Sequence, residues 1–276
     1  MAKKPTFPKG MPRRDNASFK RTLRQHAKRM HLPEALPLVH TTTVWGAEEI
    51  AGAGRLTVRH CDVFLRNLVF FFVMRPAYRS KYSDEPSHQL SRFPVAFILP
   101  PRYLPAPFHV YPIDTGGAAK GAFHSQADPQ VPLEDYALVE TLEAASGHIE
   151  WAFGSLDAYM RGDIRPDLLE GVDAHDHVTR GYADIARMGR KGSNEFDRRS
   201  SAVEVAFDAD ITLDTREGLV ILPRQMLDNA ALIDRLKGFG FEIEAYDWRP
   251  STLPDEYEDD IAEAATAWYR AKGWLT

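Results

Sequence analysis

NLVFFFVM, Asn67–Met74, decides the fold class of this chain. It is apolar on both faces and rich in aromatic and β-branched residues, so it predicts a central strand, buried on both sides. At eight residues it falls far short of the ~20 needed to cross a bilayer as a helix. Upstream, PLVHTTT (Pro37–Thr43) reads as a second strand, and Ala47–Ala51 as one or two helical turns stopped by Gly52 and Gly54. Downstream, Phe93–Leu99 is a third strand. Pro100–Pro112 holds five prolines, which predicts no regular element, and PIDTGG (Pro112–Gly117) extends it as a turn-rich loop. Helices are expected at Leu133–Ala145 and Ile149–Met160, with a break at Gly147, and at Ala174–Met188. Strands follow at Ala202–Phe207, Leu219–Leu222 and Phe241–Tyr246, with a helix at Gln225–Leu236 and an acidic one at Asp255–Ala271. The elements do not alternate regularly as βαβα, so the expected class is α+β rather than doubly wound.

The 276 residues are 44% apolar and 26% charged, enough apolar material for a sizeable core. A single cysteine, Cys61, excludes an internal disulfide framework and a cysteine-based zinc knuckle. No apolar secretory segment opens the sequence, and the expected location is cytoplasmic. The net charge of −5 conceals a contrast. Residues 1–103 carry 18 Lys/Arg against 7 Asp/Glu, while the remainder carries 16 against 32. Residues 1–31 alone hold ten basic residues and one acid, Asp15, and read as a flexible basic arm ahead of a single domain, 32–276. Such an arm is a solvated tail, a nucleic-acid tether or a transit-like segment, though Pro5, Pro8 and Pro12 oppose an amphipathic helix.

Two common chemistries are missing. The glycines of GAEEIAGAG (Gly46, Gly52, Gly54) lack dinucleotide-fingerprint spacing, and no phosphate-binding P-loop occurs. Asp173, His175, Asp176 and His177 resemble metal ligands in composition, but no second cluster completes a site, so a helix start is the expected role and no metal is expected. More informative is RSSAVEVAF, where Glu204 stands alone in an apolar strand. Either the strand is half-buried and Glu204 faces water, or the carboxylate is buried and its pKa rises.

Three segments in order resemble the DarT-type DNA ADP-ribosyltransferases, within the wider superfamily that includes the diphtheria-toxin and poly(ADP-ribose) polymerase groups. His40 and Thr42 with GAGRL match that family's His-x-Thr strand and its following helix and glycine turn. FFFVMRPAYR supplies Phe70–Phe72, Arg75, Pro76 and Tyr78, and RSSAVEVAF supplies Glu204 in the position of the catalytic acid.

The resemblance implies a split, mainly antiparallel sheet forming a cleft, with flanking helices. It implies transfer of ADP-ribose from NAD+, without a metal, to bases of single-stranded DNA. Transfer to protein or RNA, NAD+ hydrolysis, or a catalytically silent binding module of a defence system are the alternatives. A toxin role with an antidote enzyme that removes ADP-ribose belongs to the same expectation. By resemblance Glu204 and Arg75 are catalytic, with Arg75 near the diphosphate or acceptor. His40 and Thr42 contact the adenosine ribose, and the Phe70–Phe72 strand, with Phe71 as its contact, or Tyr78 offers an aromatic wall to the nicotinamide. The bland alternative makes Phe70–Phe72 core and Arg75 a surface cation. On the transferase reading the basic arm, 1–31, helps to bind the nucleic-acid acceptor and takes no part in the chemistry.

Overall fold

The computed structural model describes residues 6–14, 21–27, 31–79, 85–214 and 217–276. Its strands are β1 (Leu38–Thr43), β2 (Arg55–Leu56), β3 (Arg59–Cys61), β4 (Arg66–Val73), β5 (Pro94–Leu99), β6 (His109–Tyr111), β7 (Glu204–Phe207), β8 (Ile211–Thr212), β9 (Gly218–Pro223) and β10 (Phe241–Tyr246). Its α-helices are α1 (Leu23–His26), α2 (Val44–Ala53), α3 (Thr115–Ala119), α4 (Leu142–Phe153), α5 (Leu156–Arg161), α6 (His177–Ala186), α7 (Ala230–Gly238) and α8 (Glu258–Ala271). The class is α+β, with mainly antiparallel strands and flanking helices.

The chain forms two compact units. The first comprises Met1–Leu36, Arg59–Val73 and Pro105–Asp208; the second comprises Pro37–Val58, Met74–Leu104 and Ala209–Thr276.

In the first unit the strands run in the order β3-β4-β7-β6, all antiparallel. β4 is the predicted apolar strand, and it has a partner on either side. In the second unit β1 and β5 are antiparallel, as are β5 and β9, whereas β9 and β10 are parallel. A parallel pair needs a crossover. Helix α7 supplies it and packs on β10. A short antiparallel pair, β2 and β8, completes the second unit.

Several boundaries differ from expectation for local reasons. Helix α2 runs through Gly52 and stops at Gly54, whose φ of 67° is the left-handed conformation that ends a helix. In the same way α4 passes through Gly147, where it is buried, and ends at Gly154 with φ 76°. The expected helix at Leu133 is a 3-10 turn, Leu133–Tyr136, and α4 begins only after Thr141, whose hydroxyl caps it at Ala144 N, 3.1 Å. Gln225–Leu236 likewise divides into a 3-10 turn, Arg224–Asp228, and α7 capped by Asn229.

Two corrections bear on function. The proline-rich stretch does contain a strand, β6, fitted between Pro107 and Pro112 and paired with β7. PIDTGG is not only a loop: Asp114 caps a helix, α3, by accepting from Gly117 N at 3.0 Å.

The basic arm is the third correction. Its described residues are docked on the first unit. Met11 N donates to Ala118 O at 3.1 Å, and Pro12 O accepts from Leu133 N at 2.9 Å. Arg13 pairs with Glu134 at 3.0 Å, Arg14 with Asp135 at 3.4 Å and Arg24 with Glu140 at 2.7 Å. His26 stacks on Trp151 with ring centroids 4.7 Å apart. Lys3, Lys4, Asp15, Lys20, Lys28 and Arg29 lie outside the described residues.

Candidate active site

Strand β7 begins at Glu204, between Phe72 of β4 and Tyr111 of β6 in register. Directly opposed residues of antiparallel strands point to the same face, and alternate residues share it. Phe70 and Phe72, Glu204, and His109 and Tyr111 therefore form one face of this sheet. Phe71, Val205, Phe207 and Val110 form the other.

Glu204 is buried, 2% exposed, so it does not point to water. Its carboxylate accepts three hydrogen bonds. Thr115 Oγ1 donates to Oε1 at 2.6 Å, the Thr115 backbone N–H donates to Oε2 at 3.1 Å, and His109 Nε2 lies 3.0 Å from Oε1. His109 Nδ1 is sealed and has no partner. Assigning the ring proton to Nε2 therefore satisfies the network best.

Burial lowers the His109 pKa to about 3, so the ring is neutral at physiological pH and serves as a donor. Burial also raises the Glu204 pKa to about 7, against the Thr115 donors that hold it down. Beside it, Asp114 is raised to about 6 by burial and by the Glu204 charge, with Arg199 opposing. Arg199 grips Asp197 through two nitrogens (3.0 and 2.6 Å) and reaches Asp114 at 3.1 Å. A buried and a half-buried carboxyl, both raised toward neutrality within one network, are the pattern of an acid–base site.

Aromatic rings surround the histidine. Phe64 lies 4.6 Å from His109 between centroids, Tyr111 5.0 Å, Phe108 5.6 Å and Phe70 5.9 Å. Phe70 and Phe72 are half-buried and share the Glu204 face, so they, rather than Phe71, can present an aromatic surface beside the carboxylate. Phe71 is buried on the opposite face, edge-on to Phe207 at 5.5 Å. Its expected cofactor role is corrected to core packing, a consequence of the two-residue period of a strand.

The remaining expected residues belong to the second unit. His40 and Thr42 are half-buried on β1, opposite Phe97 and Val95. Thr42 Oγ1 lies where a Cβ on Gly46 would fall, 2.2 Å away, so Gly46 is what lets the strand turn directly into α2. Thr43 Oγ1 caps that helix from Gly46 N at 3.2 Å. Arg75 follows Met74, whose φ is 52°, and is 2% exposed, which rules out a surface cation. Tyr78 donates its hydroxyl to Pro254 O at 3.0 Å.

Sequence reasoning missed His109, Thr115 and Asp114. A signal was available for the last two, since Asp-Thr-Gly-Gly places an N-cap acid three residues before Gly117. Among the described residues no group of His, Cys, Asp or Glu could hold a metal ion. Asp176 instead caps α6 at Thr179 N, 3.0 Å, and accepts from Thr22 at 2.6 Å. No helix among the described residues is long and apolar enough to cross a membrane. No family model matches this chain, nor does any curated protein or solved structure.

Proposed function

We propose that the chain is an NAD+-dependent mono-ADP-ribosyltransferase in which Glu204 is the catalytic carboxylate. One observation carries this reading: a buried glutamate is held by three donors on a strand whose same face presents the half-buried rings Phe70 and Phe72. The order of the segments resembling DarT-type enzymes supports it.

The chemistry suits such a site. The bond between ribose C1′ and the nicotinamide nitrogen breaks, and the electron pair leaves with the nicotinamide. The sugar passes through an oxocarbenium-like state, as in glycoside cleavage. An acceptor atom then bonds to C1′ and releases a proton. A carboxylate fixed in advance by Thr115 and His109 stabilises the positive charge as it develops, without reorganising during the reaction. The aromatic rings suit a flat cationic nicotinamide.

With a pKa near 7, Glu204 is a carboxylate above neutrality and a carboxylic acid below it. The reaction is therefore expected to speed up as pH rises through about 7.

Nucleic acid is the favoured acceptor on the strength of the family resemblance. The charge of the basic segment adds little, because Arg13, Arg14 and Arg24 already face Glu134, Asp135 and Glu140. The reading rests on the first unit alone. Incubation with NAD+ labelled in the adenosine moiety and separate pools of single-stranded DNA, RNA and protein tests it. Nicotinamide release with label transferred to DNA is expected. Release without transfer would leave NAD+ hydrolysis, and no release in any pool would overturn the reading.

A further inference from the structure

Helix α3 connects the N-terminal segment to Glu204. Its first residue, Thr115, supplies two of the three donors on the carboxylate, and its cap, Asp114, is held by Arg199. The far end of α3 is held by the chain's own beginning. Met11 N donates to Ala118 O, and Gly10 packs so closely that a Cβ there would fall 1.9 Å from Ala119 O. Gly121, just beyond the helix, also fits closely against Lys9, whose carbonyl oxygen would be 2.8 Å from an added Cβ. Pro12 and Arg14 then secure the segment to Leu133 N and Glu134, at 2.9 and 2.8 Å.

Arg13 reaches the other side of the same site. It pairs with Glu134, and its guanidinium lies over Phe64 at 5.5 Å, the ring that packs on His109. Arg13 Nη1 and Nη2 are sealed from solvent without a partner. Unpaired buried donors are unfavourable, so stability alone does not account for the placement. The N-terminal segment thus bears on both sources of the Glu204 hydrogen bonds, Thr115 through α3 and His109 through Phe64.

We propose that Lys9–Arg14 is a positioning element of the Glu204 site, a strap that fixes α3 and Phe64 and thereby aims the carboxylate. This role rests on the proposed reaction and reverses the expectation that the basic segment takes no part in the chemistry.

The test compares the full chain with Gly10→Val, which drives a side chain into the Ala119 carbonyl, and Arg13→Leu, with Arg13→Lys as the conservative variant. Hydrogen exchange is read at Ala118, Lys120 and Ala122, whose amides bond within α3 and its C-terminal turn. Exchange there is expected to rise at least tenfold in Gly10→Val and Arg13→Leu, relative to β9 and β10. The kcat for nicotinamide release should fall about tenfold with KM little changed, and Arg13→Lys should behave as the parent. Unchanged exchange in both disruptive variants overturns the strap, and faster exchange with unchanged kcat overturns its positioning role. If the parent chain releases no nicotinamide, the reaction itself is wrong, and the carboxyl titration of 13C-labelled Glu204 decides. A midpoint lowered by half a unit or more as water reaches the carboxylate supports the strap, and an unmoved one overturns it.

Discussion

The two units solve burial differently. In the second, β5 and β9 are buried along their whole length, and among the described residues the buried polar ones are Arg75 and Ser87. In the first, His109, Thr115, Glu134, Asp135, His148 and Glu204 are all buried. Apolar burial needs no partner, whereas a buried ionisable group is tolerable only when its hydrogen bonds and charge are matched. The second unit should therefore respond to lost volume, and the first to lost partners and to pH.

Glu204→Gln should produce the largest effect. It keeps the shape of the side chain and removes its charge. Loss of one preorganised electrostatic group costs roughly 10²–10³ in rate. Nicotinamide release should fall by that factor, with the thermal midpoint within a few degrees of the parent. Release at the parent rate would move the chemistry away from β7.

A volume change in the second unit should do the reverse. Ile221 lies within β9 with no exposed surface. Ile221→Ala should cost about 3 kcal/mol of stability by denaturant unfolding. The loss should be equal at acid and neutral pH, and kcat below the unfolding range should be preserved. A pH-dependent loss would blur the contrast between the units.

How legible each unit was follows from the same difference. Strands that bury apolar residues announce themselves: Phe241–Tyr246 matches β10, and Phe93–Leu99 matches β5 to within one residue. Glu204 stood out because a lone acid interrupts such a strand. Its partners did not, since His109 sits among prolines in a three-residue strand and Thr115 in a stretch that reads as a turn. What joins them is pairing across 95 and 89 residues of sequence, which no local pattern encodes. A run of three phenylalanines does not reveal which face is core until the register is known, and the register turns Phe71 inward. The basic segment misled for a related reason. Its arginines look free until Glu134, Asp135 and Glu140 are seen facing them.

The first unit's response to pH has a definite sign. Glu204 and Asp114 have raised pKa values in the folded chain, so their stabilising contribution is complete below the unfolded values and is lost as pH rises through about 7 and about 6. His109 and His148 are lowered by burial to about 3, so their contribution is complete above the unfolded histidine value and is lost as pH falls toward 3. Between pH 6 and 8 the two trends oppose each other, and the stability of the parent chain should be nearly flat. Glu204→Gln removes one acid from that balance. Its stability should rise from pH 6 to pH 8 by on the order of 1–2 kcal/mol, the histidine slope left uncovered. A variant profile with the same slope as the parent's would mean that Glu204 is ionised throughout that range.

The smallest effect expected is that of Tyr78→Phe, and it asks whether a second-unit residue expected at the cofactor has a purely structural task. The Tyr78 hydroxyl donates to Pro254 O, tying the segment after Arg75 to the turn Pro254–Tyr257 that leads into α8. A hydroxyl committed to a backbone carbonyl has used its one proton, so it cannot also donate to a ligand. Removing it should cost about 1 kcal/mol of stability, the net worth of an ordinary hydrogen bond. The ring stays, and any loss belongs to the hydroxyl alone. The KM for NAD+ should be unchanged within error. A KM raised tenfold at unchanged stability would make the hydroxyl a ligand contact and end the division between a structural second unit and a reactive first one.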